Sequence, residues 1–237
     1  MKKSFRFIFF INSTVLFLLF VTVISYNNFS YTMANIKAIE ARKCVIIDAG
    51  HGGVDGGTTS CSGITESVYN LQIALRLQDL MHLLGIKTTM VRTTDTSIHT
   101  EGETIASKKI SDLKNRVKLV ENTQNSILIS IHQNYYHDSR YAGAQVFYAN
   151  KNMSHDFAVR MQNALVSGLR NNNTRKAKKA DSIYLLQKIT RPGILIECGF
   201  LSNPKEESML RSDDYQKKLC VVIAAATSSY LFAKPVA

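Results

Sequence analysis

Three short segments of this sequence end in side chains that can bind a metal or move a proton. Val45-Ile46-Ile47-Asp48-Ala49-Gly50-His51-Gly52-Gly53 carries an apolar run into a histidine within a glycine-rich turn, and Ile129-Ser130-Ile131-His132-Gln133-Asn134 ends a second run on His132. In the third, Glu197 stands directly after Gly193-Ile194-Leu195-Ile196. A fourth residue, Glu66, opens a segment of helical period just after the loop that begins at His51. If these ends are neighbours, two imidazoles and one or two carboxylates meet at one point. Two histidines and a carboxylate make a zinc site with three protein ligands and an open fourth place, the arrangement used for catalysis rather than for structural bracing. Glycines at 50, 52, 53, 56 and 57 let backbone and substrate approach such a centre closely.

Spacing alone does not divide the two carboxylates between ligand and acid/base. Glu66 lies in the first turn of its helix, where the macrodipole favours a fixed anion, and is assigned as the ligand. Glu197 ends a buried strand, where a poorly solvated carboxylate is easier to protonate, and suits general acid/base work. Asn134, two residues beyond His132 on an extended chain, is expected on the same side and is a candidate substrate-binding residue, or else a turn-stabilising asparagine. Asp48 either orients a ligand imidazole from behind or is a satisfied buried acid. His82, His99, His137 and His155 fall in helical or polar loop segments and read as surface residues.

Positioning these ends requires strands interleaved with helices. Apolar runs at 44–48, 86–91, 126–131 and 144–149 read as strands, and two shorter runs follow at 182–187 and 193–197. Segments 66–84 and 152–170 carry wide apolar faces at helical spacing, Leu113, Val117 and Val120 mark another helix, and 93–109 reads as a long polar loop. The segment 213–232 is too interrupted for a membrane span and reads as a helix buried against a sheet. The pattern predicts a single α/β domain, a mostly parallel twisted sheet of about six strands flanked by helices. In such sheets ligands bind beyond the carboxyl ends of the strands, where the three motifs end.

The chain has 237 residues, 45% hydrophobic and 20% charged, which excludes a disordered or fibrous polypeptide. Lys2, Lys3 and Arg6 precede an uncharged run from Phe7 to Ile24. At about 1.5 Å per residue this run spans roughly 27 Å, so residues 1–34 are expected to be a signal peptide or a membrane anchor, with Thr32-Met33-Ala34 as a cleavage site and residues 35–237 exported. Export makes nucleic acid an unsuitable partner for the formal charge of +11. The four cysteines, 44, 61, 198 and 220, read as buried small hydrophobes with Cys61 in an exposed loop, or else as partners in a structural disulfide, which an exported chain permits. Arg170, Arg175, Lys176, Lys178, Lys179, Lys188 and Arg191 form the densest charge, either a solvated face or a surface that steers an anionic polymer.

Taken together, G-H-G-G at 50–53, the helix-start Glu66, S-x-H-x-N at 130–134 and E-x-G-F-L-S-N at 197–203 resemble the motifs of the zinc-dependent N-acetylmuramoyl-L-alanine amidases of bacterial cell walls. The resemblance covers residues 43 to about 232. It implies zinc ligands at His51, Glu66 and His132 and a catalytic glutamate at Glu197, with Ala49 standing where proline is common. It implies hydrolysis of the amide between the lactyl group of N-acetylmuramic acid and L-alanine in peptidoglycan. Chain size, the N-terminal segment and Thr174-Arg175-Lys176-Ala177-Lys178 are most similar to the sporulation and germination members, which act on spore cortex so that muramic-δ-lactam can form. Members of the family are often switched by another protein, so a regulatory partner is expected. The competing readings are a catalytically silent or regulatory wall-binding protein and another zinc peptidase, although H-E-x-x-H is absent. Arg92 and Arg116 resemble arginines that recur in the family as structural pairs.

Overall fold

Six consecutive residues of Cys44–Ala49 are buried, which is what a strand covered on both faces requires. In the computed structural model, which describes residues 21–26, 30, 43–149, 152–169 and 172–232, this strand is β1 at the interior of a six-stranded sheet. The other strands are β2 (Thr88–Met90), β3 (Ser126–Asn134), β4 (Gln145–Tyr148), β5 (Lys178–Lys179) and β6 (Gly193–Phe200), in the order β2-β1-β3-β6-β4-β5. β1 pairs in parallel with β2 and β3, and β3 with β6. β4 runs antiparallel to β6 and carries β5 parallel to itself at the edge. The α/β architecture expected from the sequence is therefore present, with its helices α1 (Glu66–Leu83), α2 (Ile105–Asn122), α3 (Asn152–Leu169), α4 (Tyr184–Lys188), α5 (Pro204–Arg211) and α6 (Asp213–Phe232).

Side-chain alternation along β1 sends Val45 and Ile47 into a core shared with Leu77 of α1, Phe157 of α3 and Ile223 of α6. Ile46 goes to the opposite face and packs with Val120 of α2 and Leu185 and Leu186 of α4. Cys198 shares the first core while Glu197 beside it turns to the other face, which is why cysteine is tolerated next to a chemically active residue. Among the described residues no helix is long and apolar enough to cross a membrane. The signal or anchor expected at residues 1–34 lies almost wholly outside the described residues.

The polar stretch expected to be a loop up to Lys109 gives way to α2 at Ile105. Thr104 accepts from the Ser107 backbone while the Ser107 side chain returns to the Thr104 backbone, a closed capping box. The buried residues of α2 are Ser111, Asp112, Arg116 and Val120, so its inward face is mostly polar, with Val117 and Leu119 partly buried beside Val120. The run 182–187 contributes α4 instead of a strand, and α5, capped by Asn203 with Pro204 in its first turn, was not anticipated.

Arg116 is 2% exposed and lies between two carboxylates, Asp48 of β1 and Asp112 one turn earlier on α2 at 2.6 Å. It also donates to the carbonyls of Ala49 (3.0 Å) and His51 (2.7 Å). Asp48 is held ionised against the pull of burial by Arg116 and by the Ser130 hydroxyl, which donates to it at 2.6 Å. Asp48 is thus a satisfied buried acid and makes no hydrogen bond to an imidazole among the described residues, which removes the alternative role of orienting a ligand. Losing one partner of such a buried pair costs about 3–5 kcal/mol. Arg92 differs from the expected structural pair: its nearest acid, Asp95, is 3.9 Å away, and it instead donates to the carbonyls of Ala49, Gly50, Ser67 and Thr94. The two arginines together fix the backbone at the carboxyl end of β1.

Candidate metal centre and active site

That fixed backbone releases into His51, whose φ of 59° is left-handed and uncommon for a residue with a side chain. The conformation turns the imidazole back across the sheet end, where strain of this kind collects at functional sites. Gly50 is required beside it, because a Cβ there would lie 2.2 Å from Nε2 of His132. Gly57, at φ +70°, closes the other side, and a Cβ on it would meet Glu66 Oε2 at 2.6 Å.

Glu66, the first residue of α1, is 4% exposed and sits between the two histidines. Its Oε2 lies 3.2 Å from Nε2 of His51 and its Oε1 lies 3.0 Å from Nδ1 of His132. The remaining lone pairs accept from the backbone amides of Gln133 (3.1 Å) and Thr58 (3.3 Å) and from the Asn70 side chain (3.1 Å). Burial would push this carboxyl up, but the bonds and charges of His132 and His51 hold it far below the ordinary carboxylate range. The Thr65 side chain makes no capping bond, so the helix start is open to this use.

His51 donates through Nδ1 to Asp55 Oδ2 at 2.9 Å, and Asp55 is itself bound by Lys109 Nζ at 3.1 Å. Against the effect of burial, Asp55 and Glu66 together push the imidazole up to about 9. Asp55 is held well below its usual range, by the bond from His51 first and by Lys109. The ring centroids of His51 and His132 are 5.0 Å apart at 72°. One donor atom from each of His51, Glu66 and His132 can be chosen so that all lie within 4.8 Å of one another, a set that fits a small divalent cation.

Glu197 stands opposite His132 in the β3–β6 register. The residue is partly exposed, yet its Oε2 is buried and has no hydrogen-bond partner. Burial, reinforced by the charge of Glu66 and opposed by His132 and His51, pushes its carboxyl up to about 7, where it exchanges a proton near neutrality. A cavity of about 240 Å³ opens beside His51 and His132, walled by Lys109, Leu113, Ile183, Tyr184 and Leu195.

The four motif residues therefore come together, and Asn134 is half-buried like His132, with buried Gln133 between them, as alternation along β3 requires. The extra residue of the β3–β6 register shift lies on β6, between Glu197 and Phe200, and the Asn134 side chain makes no hydrogen bond among the described residues. Sequence reasoning missed Asp55, Asn70 and Gln133. The first two carry a legible signal, an acid four residues past His51 and an amide one helical turn past Glu66. Gln133 carries none, since it is read only through its bond to Asn70 at 3.2 Å.

His82, His137 and His155 are exposed and His99 is half-buried. All four cysteines are free, with only Cys61 exposed. The basic cluster divides. Lys176, Lys178, Lys179 and Lys188 are exposed, whereas Arg175 donates to the Ala142 carbonyl and covers the Phe200 ring at 5.0 Å, and Arg191 donates to the Glu121 carbonyl. Arg170 lies outside the described residues.

The role of Asp55 has a direct consequence. A carboxylate on the far nitrogen of a ligand imidazole fixes its tautomer and direction. Asp55→Ala is expected to weaken metal binding by about 10–100-fold without unfolding the chain, as read by competition with a chelating dye.

The sequence pattern of the family described as N-acetylmuramoyl-L-alanine amidase matches residues 45–229. A germination-specific N-acetylmuramoyl-L-alanine amidase of Bacillus subtilis is 37% identical over 194 residues, covering 81% of each chain. Among solved structures, the CwlD amidase of Clostridioides difficile, in complex with the GerS lipoprotein, superposes with a TM-score of 0.78 at 36% identity, over 81% of this chain and all of that one. The catalytic domain of CwlV from Bacillus (Paenibacillus) polymyxa gives a TM-score of 0.70 at 29% identity, over 81% of this chain and 99% of that one.

Proposed function

The chain belongs to the N-acetylmuramoyl-L-alanine amidase family, and from that membership we propose that it is a zinc enzyme whose metal is held by His51, Glu66 and His132, with Glu197 as its general acid/base. The observation that carries this reading is the buried, unpartnered Oε2 of Glu197 beside three convergent metal-binding side chains. A buried carboxylate oxygen without a partner is costly unless chemistry uses it. The substrate bond is the amide between the lactyl group of N-acetylmuramic acid and L-alanine in peptidoglycan.

When bound, zinc supplies Lewis-acid polarisation of the scissile carbonyl and acidifies water toward neutral pH. The chain's own groups supply the rest. Asp55 holds His51 through Nδ1 and leaves Nε2 facing Glu66, while Asn70 and the Gln133 amide hold Glu66 in place. Glu197 takes the proton of the attacking water and later gives it to the departing alanine nitrogen, so one carboxyl serves both steps. The products are a muramic carboxylate and a peptide with a free amine.

The germination-specific relative supports a role in germination for this chain as well, and the reading extends to spore cortex as the substrate, with peptide removal preceding muramic-δ-lactam formation. The lipoprotein bound to the C. difficile relative supports a regulatory protein partner for this chain as well. Residues 1–34 export the domain, as a signal or an anchor, to the extracytoplasmic space where that substrate lies. The protein is expected to contain about one zinc per chain, to lose amidase activity on chelation and to regain it with added zinc. Full activity in a metal-stripped sample would refute the zinc assignment.

A further inference from the structure

β3 and β6, the strands that bear His132 and Glu197, end side by side, and the loop leaving β3 carries three exposed tyrosines. Tyr135 is 52% exposed, Tyr136 40% and Tyr141 44%. Tyr136 and Tyr141 lie against each other with ring centroids 4.5 Å apart, and Tyr141 continues to Phe200, the last residue of β6, at 6.2 Å. Arg175 closes this row over the Phe200 ring.

The rings are exposed but their backbone is not loose. The Tyr136 amide donates to Ser202 Oγ at 3.1 Å, and the Asn203 side chain donates to the Tyr141 carbonyl at 3.3 Å. Glu206, 4% exposed, accepts from the amides of both Gly143 (2.8 Å) and Phe200 (2.9 Å), tying the end of the tyrosine loop to the end of β6. No tyrosine hydroxyl of this loop bonds to another described residue. Tyr136 also packs on the His137 ring at 4.2 Å, so the pinned loop holds a preformed aromatic cluster partly open to water, and exposed patches of this kind mark binding surfaces.

We propose that Tyr136 and Tyr141, with Arg175 at one edge, form a stacking subsite for the sugar rings of a glycan strand. Sugar rings present faces of polarised C–H bonds, which are attracted to the negative face of an aromatic ring. Tyr135 begins immediately after Asn134, three residues beyond His132, so a polymer lying across the catalytic centre passes over this row. Lactyl carboxylates freed by the reaction meet the Arg175 guanidinium at the same edge. The subsite deepens the amidase reading and rests on it, because the glycan is the part of peptidoglycan that remains when the peptide has left.

The probe is peptide-free strands of alternating N-acetylglucosamine and N-acetylmuramic acid. The chain contains no tryptophan, so its intrinsic fluorescence comes from its tyrosines and reports on them directly. Wild type is expected to bind these strands with a change in tyrosine emission. The double variant Tyr136→Ala, Tyr141→Ala should bind about tenfold more weakly, while Tyr136→Phe, Tyr141→Phe keeps its affinity because the rings remain. On the wild-type protein, bound strands should protect Tyr136 and Tyr141 from nitration by tetranitromethane, read by peptide mass, which needs no variant to fold. Equal glycan affinity in the alanine and wild-type proteins, or nitration of both rings unaltered by saturating glycan, overturns the subsite, including the case in which the row serves a protein partner instead. Release of alanine-terminated peptides from intact, peptide-bearing peptidoglycan by the same wild-type preparation shows whether the amidase reading stands independently.

Discussion

Glu197→Gln should fold, retain its metal and turn over peptidoglycan at least about 10²-fold more slowly than wild type, the range lost with a general acid/base. The amide is nearly isosteric with the carboxyl, and the partner-free Oε2 means that no structural hydrogen bond is lost there. What disappears is a group able to take a proton and return it, a group that burial has already pushed up to about 7. Metal content measured on the same sample separates this from loss of the centre. Near-normal turnover by Glu197→Gln would place the acid/base on another residue.

Alanine at His51, Glu66 or His132 should act differently, removing the metal together with the activity. Each variant deletes one of the three proposed protein ligands, so its loss of affinity should exceed the roughly 10–100-fold that outer hydrogen-bond partners command. Glu66→Ala is expected to be the most severe for local order as well. Its carboxylate also accepts from the amides of Thr58 and Gln133 and from Asn70, and those donors would be left in a buried site without it. Zinc analysis of the three variants beside wild type gives the check, and wild-type zinc content in any of them would remove that residue from the ligand set.

The site was legible where chemistry coincides with a strand end. His51, His132 and Glu197 each follow a run of buried aliphatic residues, and a parallel sheet brings such ends to one side. What stayed hidden has physical reasons. The left-handed turn at His51 is a backbone state that residue type does not announce, and it decides that Asp55, four residues on, meets Nδ1. α2 escaped in its first turns because none of residues 105–110 is buried, and Ile105 and Ile110 are exposed. The antiparallel direction of β4 left no trace either, since four residues paired to β6 look the same in either sense. Arg175 was grouped with the lysines by charge alone, although its Nε donates to the Ala142 carbonyl and its guanidinium lies over the Phe200 ring.

A zinc amidase and a zinc endopeptidase would share the metal, the ligand set and the dependence on Glu197, so the bond that is cut tests the account most directly. Purified peptidoglycan digested with the zinc-loaded protein and analysed by mass spectrometry should yield stem peptides with a new N-terminal alanine and glycan strands of undiminished length. Stem peptides still joined to muramic acid, with new amino termini only at the cross-links, would contradict it.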